Sequence, residues 1–260
     1  MKIALLDDYQ RVALRMGPWD RLAGHEIVVF DRHIAAEEAA AALAPFDIVC
    51  HVRERMPFPR SLIERLPNLK LICITGPAHR TLDLKAARER GIVVSRTSNR
   101  GAGGHGTPEL AIGLMLSLAR HIAHEDQRMR QGLWQGTVGT VLYGKTLGLV
   151  GLGRVGGRVA ELGRAFGMSV LAWSRNLTDE RAKSLGVRRV AKDALFRESD
   201  IVSIHLVLGD RSRGLVGARE LALMKESAFL VNTARGPIVD EAALIDALER
   251  RAIAGAALDV

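Results

Sequence analysis

The stretch that decides the fold is KTLGLVGLGRVGGRVAELGRAFG, residues 145–167. An apolar strand pattern over Thr146–Val150 runs into the glycine spacing Gly151-x-Gly153-x-x-Gly156, and a helical pattern follows it. A GxGxxG spacing alone is a weak signal. Its position between a strand and a helix is the context that a dinucleotide-binding turn requires.

Each glycine of this turn has its own physical reason. Gly151 permits a tight turn, Gly153 lets the backbone approach a pyrophosphate, and Gly156 lets the helix pack closely against the strand. The helix N-terminus supplies unpaired N–H groups and positive potential for an anion. The stretch therefore predicts a dinucleotide site; the alternative is a glycine-rich strand–helix turn that binds no ligand.

Short apolar runs alternate with helical patterns along the chain. AAEEAAAALAPF (35–46) and DEAALIDALERR (240–251) carry apolar residues at i, i+3 and i+4 spacing, as amphipathic helices do. This alternation predicts an α/β fold with doubly wound parallel sheets covered on both faces. The predicted strands are Lys2–Leu6, Glu26–Phe30, Asp47–Cys50, Leu71–Thr75, Ile92–Ser95, Thr146–Val150, Ser169–Trp173, Ile201–Ile204, Ala228–Asn232 and Ala254–Leu258.

A glycine-rich stretch, SNRGAGGHGTPE at residues 98–109, divides the chain. We predict two domains, 1–98 and 99–260. A long helical pattern, PELAIGLMLSLARHIAHEDQRMRQ (108–131), follows the boundary. Thr107 is the predicted N-terminal cap of that helix.

Composition narrows the class of protein. The 260 residues are 48% hydrophobic and 25% charged, which is typical of a globular domain. The net charge of +8 is scattered and aromatics are only 4%, which argues against nucleic-acid binding. No apolar stretch reaches the roughly 18 residues of a membrane span and MKIALLDDYQ is not a signal peptide, so we expect a cytoplasmic protein without a membrane partner. We identify no metal-ligating set.

The two cysteines, Cys50 and Cys73, each lie in an apolar stretch. This placement favours buried core thiols over a disulfide or a nucleophile.

The strand after the glycine turn ends VLAWSRN, residues 170–176. An NAD-selective site usually carries an acidic residue here, bonded to the ribose hydroxyls. Ser174 and Arg175 stand in that region instead, and a guanidinium can pair with a 2′-phosphate. The sequence therefore favours NADP over NAD; the alternative is an exposed arginine, with NAD held by other contacts.

Four segments together resemble the D-isomer-specific 2-hydroxyacid dehydrogenases, which include phosphoglycerate dehydrogenases and glyoxylate/hydroxypyruvate reductases. Within the last segment, NTARGPIVDEAAL is far more specific than the glycine turn. The four are RERMPFPRSLIERLPNLKLICITG (53–76), GKTLGLVGLGRVGGRVA (144–160), SDIVSIHLVL (199–208) and GLVGARELALMKESAFLVNTARGPIVDEAALIDALERRAIAGAALDV (214–260).

The resemblance implies a flavodoxin-like substrate domain over 1–98 and a Rossmann NAD(P)-binding domain over 99–260, with the active site in the cleft. It implies an oxidoreductase that interconverts a D-2-hydroxy acid and its 2-keto acid by hydride transfer. It also implies a homodimer formed through the nucleotide domain. The candidates for that interface are Leu114, Met115, Leu118 and Trp134. The alternative is that these residues pack in the core of the same chain.

The resemblance also implies roles for individual residues. Arg235 would hold the substrate carboxylate and polarise the carbonyl; the alternative is a surface arginine. Gly76 matches the loop that binds the carboxylate, and Arg53 could reach an anionic substituent or lie on the surface. Further cofactor contacts beside the three glycines and the Ser174–Arg175 pair are Arg154, Val155, Leu206, Val207, Thr233, Ala234 and Asp259.

In the family, the glutamate and histidine that handle the proton follow the ALDV strand, beyond Val260 here. We therefore expect a chain that is C-terminally incomplete relative to the family, possessing the cofactor site and the anchoring arginine. One alternative is a catalytically inactive NAD(P)-binding regulator, similar to the dehydrogenase-like corepressors. Another is an enzyme whose base is relocated to His79, which is otherwise a solvated loop residue. The remaining candidates, which we expect to be structural or exposed, are His105, His121 and His124. His205 ends a predicted strand, where the family commonly has a histidine that is not the base.

Overall fold

The computed structural model of the protein describes residues 1–52, 54–98 and 104–260. The chain divides into two compact units, Met1–Gly103 (unit 1) and Gly104–Val260 (unit 2). The boundary between the units and the sequence-based division after residue 98 lie on the same glycine-rich stretch.

Unit 1 is a parallel sheet of strands β1 to β5 in the order β2-β1-β3-β4-β5, which is the flavodoxin-like order. Its core includes the fully buried Phe58, Ile63 and Leu66. The strands are Lys2–Leu5, Glu26–Val29, Ile48–His51, Leu71–Ile74 and Val93–Arg96; the helices are α1 (Ala36–Leu43), α2 (Arg60–Ile63) and α3 (Leu84–Glu89), with 3-10 turns at Ala13–Arg15 and Trp19–Leu22.

Unit 2 is a second parallel sheet, β6 to β11, in the order β11-β10-β9-β6-β7-β8. Counted from β6, this is the 3-2-1-4-5-6 order of Rossmann domains. The strands are Thr146–Val150, Ser169–Trp173, Arg188–Arg189, Ile201–Ile204, Phe229–Asn232 and Gly255–Leu258. The helices are α4 (Gly106–Arg120), α5 (Ile122–Arg130), α6 (Arg154–Ala165), α7 (Asp179–Ser184), α8 (Lys192–Glu198), α9 (Ala218–Leu223) and α10 (Glu241–Glu249), with a 3-10 turn at Gly236–Ile238.

The α/β doubly wound architecture predicted from the sequence is confirmed. All ten predicted strands are present, with ends that agree to within one residue. The sequence missed β8, because its residues Arg188 and Arg189 are exposed and give no apolar signal.

The long helix predicted over 108–131 is wrong as one continuous element. It breaks at His121, whose backbone is left-handed with φ +54°, and α4 ends there. Thr107 is also not the N-terminal cap, since α4 already begins at Gly106. Within the described residues, no helix combines the length and apolarity needed to cross a membrane.

The two cysteines are free, as expected, but they are not in the core. Both are only half-buried. Burial alternates along β3 and β4, so that Val49 and Ile72 pack into the core while the thiols point to the other face of the sheet. The apolar residues around each cysteine predicted the strand, but they did not predict on which face of the sheet the thiol lies.

Candidate functional site

The residues predicted to contact a cofactor converge on one edge of the unit 2 sheet. Each follows the carboxyl end of a parallel strand: Gly151 follows β6, Ser174 follows β7, Leu206 lies two residues beyond β9, Thr233 follows β10 and Asp259 follows β11. The strand order reverses direction between β6 and β9. Open α/β sheets bind ligands in the crevice outside the strand ends at such a reversal.

The glycine turn between β6 and α6 is tight on one side and open on the other. Gly151 has φ +107°, and a Cβ there would lie 2.7 Å from the carbonyl oxygen of His205. A Cβ on Gly156 would collide with the carbonyl of Gly151, whereas one on Gly153 would meet no described atom within 4 Å. The open side therefore lies directly before the first turn of α6.

The first turn of α6 is suited to an anion. It carries no acidic residue, so the positive potential of the helix N-terminus is not neutralised there. The Arg154 side chain is exposed and its Nη1 lies 3.4 Å from the carbonyl oxygen of Gly104. Val155 is half-buried and packs against the core of unit 2, so its side chain anchors the start of α6 to that core.

A groove of about 580 Å³ extends from the ends of β7 and β9. Arg175 and Arg211 both line it and both are exposed. Sequence reasoning singled out Arg175 but missed Arg211, which lies 36 positions further along the chain. The residues that line this groove include Ser174, Arg175, Leu206, Val207, Asp210 and Arg211.

The turn after β10 is organised by Asn232, a residue that sequence reasoning treated only as the end of a strand. Asn232 is buried; its Oδ1 accepts a hydrogen bond from the Ala234 N–H (3.0 Å), and its Nδ2 donates to the Arg235 carbonyl (3.1 Å). The side chain of Arg235 is exposed, and its Nη1 donates to the Ala234 carbonyl at 2.6 Å. One amide therefore fixes the backbone that presents Arg235.

Two further groups complete this edge. The Oγ1 of Thr233 is buried without a hydrogen-bond partner among the described residues, and the Asp259 N–H donates to the Asn232 carbonyl (3.0 Å). A buried hydroxyl without a partner is costly and fits a site where a ligand's polar group completes the hydrogen bonding. Together with the open side of Gly153, the residues present fit a bound dinucleotide.

His205 lies beneath the glycine turn. Its Nε2 is 2.9 Å from the Ser203 hydroxyl, and burial lowers the pKa of the imidazole to about 4. The ring is therefore neutral at pH 7.

Two of the residues predicted to bind substrate, Gly76 and Arg53, belong to unit 1. Gly76 follows β4 closely, with φ +145°, and its N–H donates to the Thr97 hydroxyl at 2.8 Å. A substrate carboxylate would have to displace Thr97 to use this N–H. Arg53 lies outside the described residues.

His79 is not the solvated loop residue that the sequence suggested. It is buried and stacks edge-on against His51, with the ring centroids 4.8 Å apart. Burial is the main cause that lowers the pKa of both histidines, that of His51 to about 3. Of the ring nitrogens, Nε2 of His79 and both nitrogens of His51 have no partner among the described residues.

The fold and this strand edge define a protein with a dinucleotide-binding Rossmann unit. The family model described as "D-isomer specific 2-hydroxyacid dehydrogenase, NAD binding domain" matches residues 112–260, more than half of the chain. The chain therefore belongs to the D-isomer-specific 2-hydroxyacid dehydrogenase family.

Named relatives agree with this assignment. A glyoxylate reductase of Aeropyrum pernix is 42% identical over 76% of this chain and 62% of its own length. A D-3-phosphoglycerate dehydrogenase of Bacillus subtilis is 36% identical over 90% of this chain and 44% of its own length. The chain thus spans about half the length of these relatives. A phosphoglycerate oxidoreductase structure from Vibrio cholerae has a TM-score of 0.91 and 35% identity, over 100% of this chain and 84% of that one.

Proposed function

We propose that the chain is an NAD(P)-binding oxidoreductase that interconverts a small D-2-hydroxy acid and its 2-keto acid. The observation that carries the proposal is that the open side of Gly153, the unpartnered Thr233 hydroxyl and Arg235 lie at one strand edge of unit 2. In this proposal, 1–98 supplies the substrate side and 99–260 the cofactor side.

We assign to the residues the roles that the family resemblance implies for their positions. The backbone at Gly153 and the N-terminus of α6 bind the pyrophosphate, and Leu206 and Val207 border the cofactor along the groove. Thr233, Ala234 and Asp259 face the nicotinamide end. The bound nicotinamide supplies or accepts a hydride at C2 of the acid. Arg235 holds the substrate carboxylate through its fork of N–H donors and polarises the C2 carbonyl.

The cofactor site is tested with two glycines. A Cβ at Gly153 or at Gly113, on α4, meets no described atom within 4 Å, so both alanine variants should fold. Gly153→Ala should raise the dissociation constant of NADH and NADPH at least about tenfold, or about 1.4 kcal/mol, because the methyl group displaces the pyrophosphate. Gly113→Ala should leave both constants unchanged. Unaltered cofactor binding by Gly153→Ala would remove the basis of this site.

The finer proposal is a preference for NADP. Arg175 and Arg211 line one groove and can pair with a 2′-phosphate. Arg175→Ser should weaken NADPH binding about tenfold or more and leave NADH binding unchanged, because a hydrogen-bonded charge contributes about 1.5–3 kcal/mol. The control is Arg250→Ser, at the end of α10. Tighter binding of NADH than of NADPH by the unsubstituted protein would contradict the preference.

Activity is tested by mixing the chain with NADPH and either glyoxylate or hydroxypyruvate. The loss of reduced-nicotinamide absorbance should require Arg235, so that Arg235→Gln abolishes it while cofactor binding persists. Measurable cofactor binding without any turnover by the unsubstituted chain would contradict the enzymatic part of the proposal.

We also propose that unit 2 forms a homodimer. Met115 belongs to the core of unit 2, and Leu114 and Leu118 pack partly against it. Trp134 instead is 70% exposed, within a segment that also exposes Leu133, Val138, Val141 and Tyr143. A second copy would cover this apolar surface. Trp134→Glu should shift the sedimentation of the protein from dimer to monomer; a monomeric unsubstituted protein would overturn the proposal.

A further inference from the structure

The two cysteines of the chain occupy matching positions on neighbouring strands. Cys50 on β3 is in register with Cys73 on β4, so both thiols project from the same face of the unit 1 sheet. Neighbouring strands lie about 4.8 Å apart. This spacing falls inside the roughly 4.4–6.8 Å range of Cα separations that a disulfide spans.

Both cysteines lie at a groove of unit 1, outside its hydrophobic core. The thiols are half-buried and line a groove of about 510 Å³, together with Leu5, Trp19 and Thr75. The groove lies on the face of the sheet opposite Val49 and Ile72. Oxidation at this site therefore does not require the core to open.

The two thiols are electronically unequal. The hydrogen bond from Cys50 lowers the pKa of the Cys73 thiol to about 7 and outweighs the opposite effect of its partial burial. The same hydrogen bond and burial raise the pKa of Cys50. At neutral pH Cys73 is therefore substantially a thiolate, which is the nucleophilic form, and Cys50 remains a thiol beside it.

We propose that Cys50 and Cys73 form a redox-active dithiol that a hydroperoxide converts into an intramolecular disulfide. The Cys73 thiolate attacks the peroxide O–O bond and becomes a sulfenic acid, and the peroxide leaves as water or an alcohol. Cys50 then loses its proton and attacks the Cys73 sulfur, which expels hydroxide. Overall, two thiols and one hydroperoxide give one disulfide, one water and one alcohol or second water.

The disulfide should be easily reversed. In-register side chains on parallel strands are separated by about the strand spacing, which exceeds the Cβ separation of about 3.8 Å that disulfides favour. Closing the bond must draw β3 and β4 together, and strained disulfides are readily reduced. The bond would form next to His51 and three residues before Gly76, near the carboxyl ends of β3 and β4. This site is independent of the proposed hydride transfer.

The test is direct mass mapping of the protein before and after hydrogen peroxide treatment. Trypsin places the cysteines on separate peptides, 33–53 and 71–80. We expect the protein to lose the mass of two hydrogens and both titratable thiols, to yield the two peptides cross-linked, and to regain both thiols with dithiothreitol. Separate oxidation of each cysteine without the cross-link, a bond only between two chains, or two thiols that persist would overturn the proposal.

Single variants test the roles of the two thiols. In Cys50→Ser, peroxide should leave a sulfenic acid on Cys73 that dimedone traps, and Cys73→Ser should react at least about tenfold more slowly. The rate of Cys73 alkylation should follow a pKa of about 7 in the unsubstituted protein and move toward the ordinary thiol value of about 8.5 in Cys50→Ala, because alanine removes the hydrogen-bond donor that serine would keep. Equal peroxide reactivity of Cys50→Ser and Cys73→Ser, or a pH profile of Cys73 alkylation that is unchanged in Cys50→Ala, would contradict the assignment.

Discussion

Asn232 shows how a single buried side chain can set the geometry of a functional turn. Its amide oxygen and nitrogen accept from the Ala234 N–H and donate to the Arg235 carbonyl. The Arg235 carbonyl also accepts from the Ile238 N–H (3.2 Å), so Asn232 adds a second hydrogen bond to that carbonyl and supplies the acceptor for the Ala234 N–H. A buried group left without a hydrogen bond costs about 1–3 kcal/mol, so Asn232 stabilises the turn that presents Arg235.

This role predicts a large effect of Asn232→Asp. The substitution keeps the acceptor for Ala234 but turns a second oxygen toward the Arg235 carbonyl, and it adds a buried charge. The free energy of unfolding, measured by chemical denaturation, should fall by about 1–3 kcal/mol. Asn68→Asp is the matched control, because the exposed Asn68 also donates to a carbonyl, that of Ala44. Equal losses in the two variants would contradict this role.

The position of the site could be predicted from the sequence, but its internal bonding could not. Residues that follow apolar runs become neighbours because the strands are parallel, and Gly151, Thr233 and Asp259 each directly follow a strand of unit 2. The two hydrogen bonds of Asn232 depend on how the turn after β10 folds back, and the burial of His79 depends on packing against His51. Neither feature produces a periodic pattern in the amino-acid sequence.

At the scale of elements, the β6–α6 junction depends on contact between backbone atoms. A Cβ on Gly156 would collide with the Gly151 carbonyl, whereas a Cβ on Gly157 would make an ordinary contact 3.4 Å from Leu185. Gly156→Ala should therefore destabilise the protein by about 1–3 kcal/mol and weaken cofactor binding. Gly157→Ala should be neutral or stabilising by up to about 1 kcal/mol, since alanine favours a helix. Thermal unfolding of the two variants, with cofactor titrations, measures the difference; a Gly156→Ala protein as stable as Gly157→Ala would contradict the prediction.

The break between α4 and α5 predicts a pair of effects with opposite signs. His121 holds a left-handed backbone at the end of α4, a conformation that costs an L-residue about 1–2 kcal/mol. His121→Gly should stabilise the protein by about 0.5–1 kcal/mol because glycine adopts this conformation freely. His124→Gly, inside α5, should instead destabilise it by about the same amount. If the denaturation midpoints of both variants shift in the same direction, the left-handed backbone at His121 does not explain the effect of His121→Gly.

Which elements the sequence could reveal depended on their apolar content. The apolar runs of β6, β7 and β9 lie between polar residues or turns, and their ends were predicted to the residue. The break at His121 was invisible, because apolar residues continue at helical spacing through Leu118 and Ile122. The face of a short strand was equally hidden, so the exposure of Cys50 had to come from the alternation along β3.

At the scale of the whole molecule, each unit carries a histidine that is neutral at pH 7. His51 is 1% exposed at the end of β3 in unit 1, and His205 lies under the glycine turn of unit 2. Burial lowers the pKa of these residues to about 3 and about 4, below the value of about 6.5 for an unfolded chain. The unfolded state therefore takes up protons first as the pH falls, and both units lose stability from about pH 6.5 downward.

This linkage predicts acid sensitivity in a window where carboxylates contribute little. Between about pH 7 and about pH 5, protonation of the unfolded chain at His51 alone should lower the free energy of unfolding by about 1–2 kcal/mol. His51→Phe places an aromatic ring beside Phe58 and His79 and removes that proton, so its stability should fall correspondingly less across the window. His124→Phe, at an exposed position, should keep the pH dependence of the unsubstituted protein. Denaturant titrations at several pH values measure these slopes, and a His51→Phe slope identical to that of the unsubstituted protein would show that His51 is not a source of the acid sensitivity.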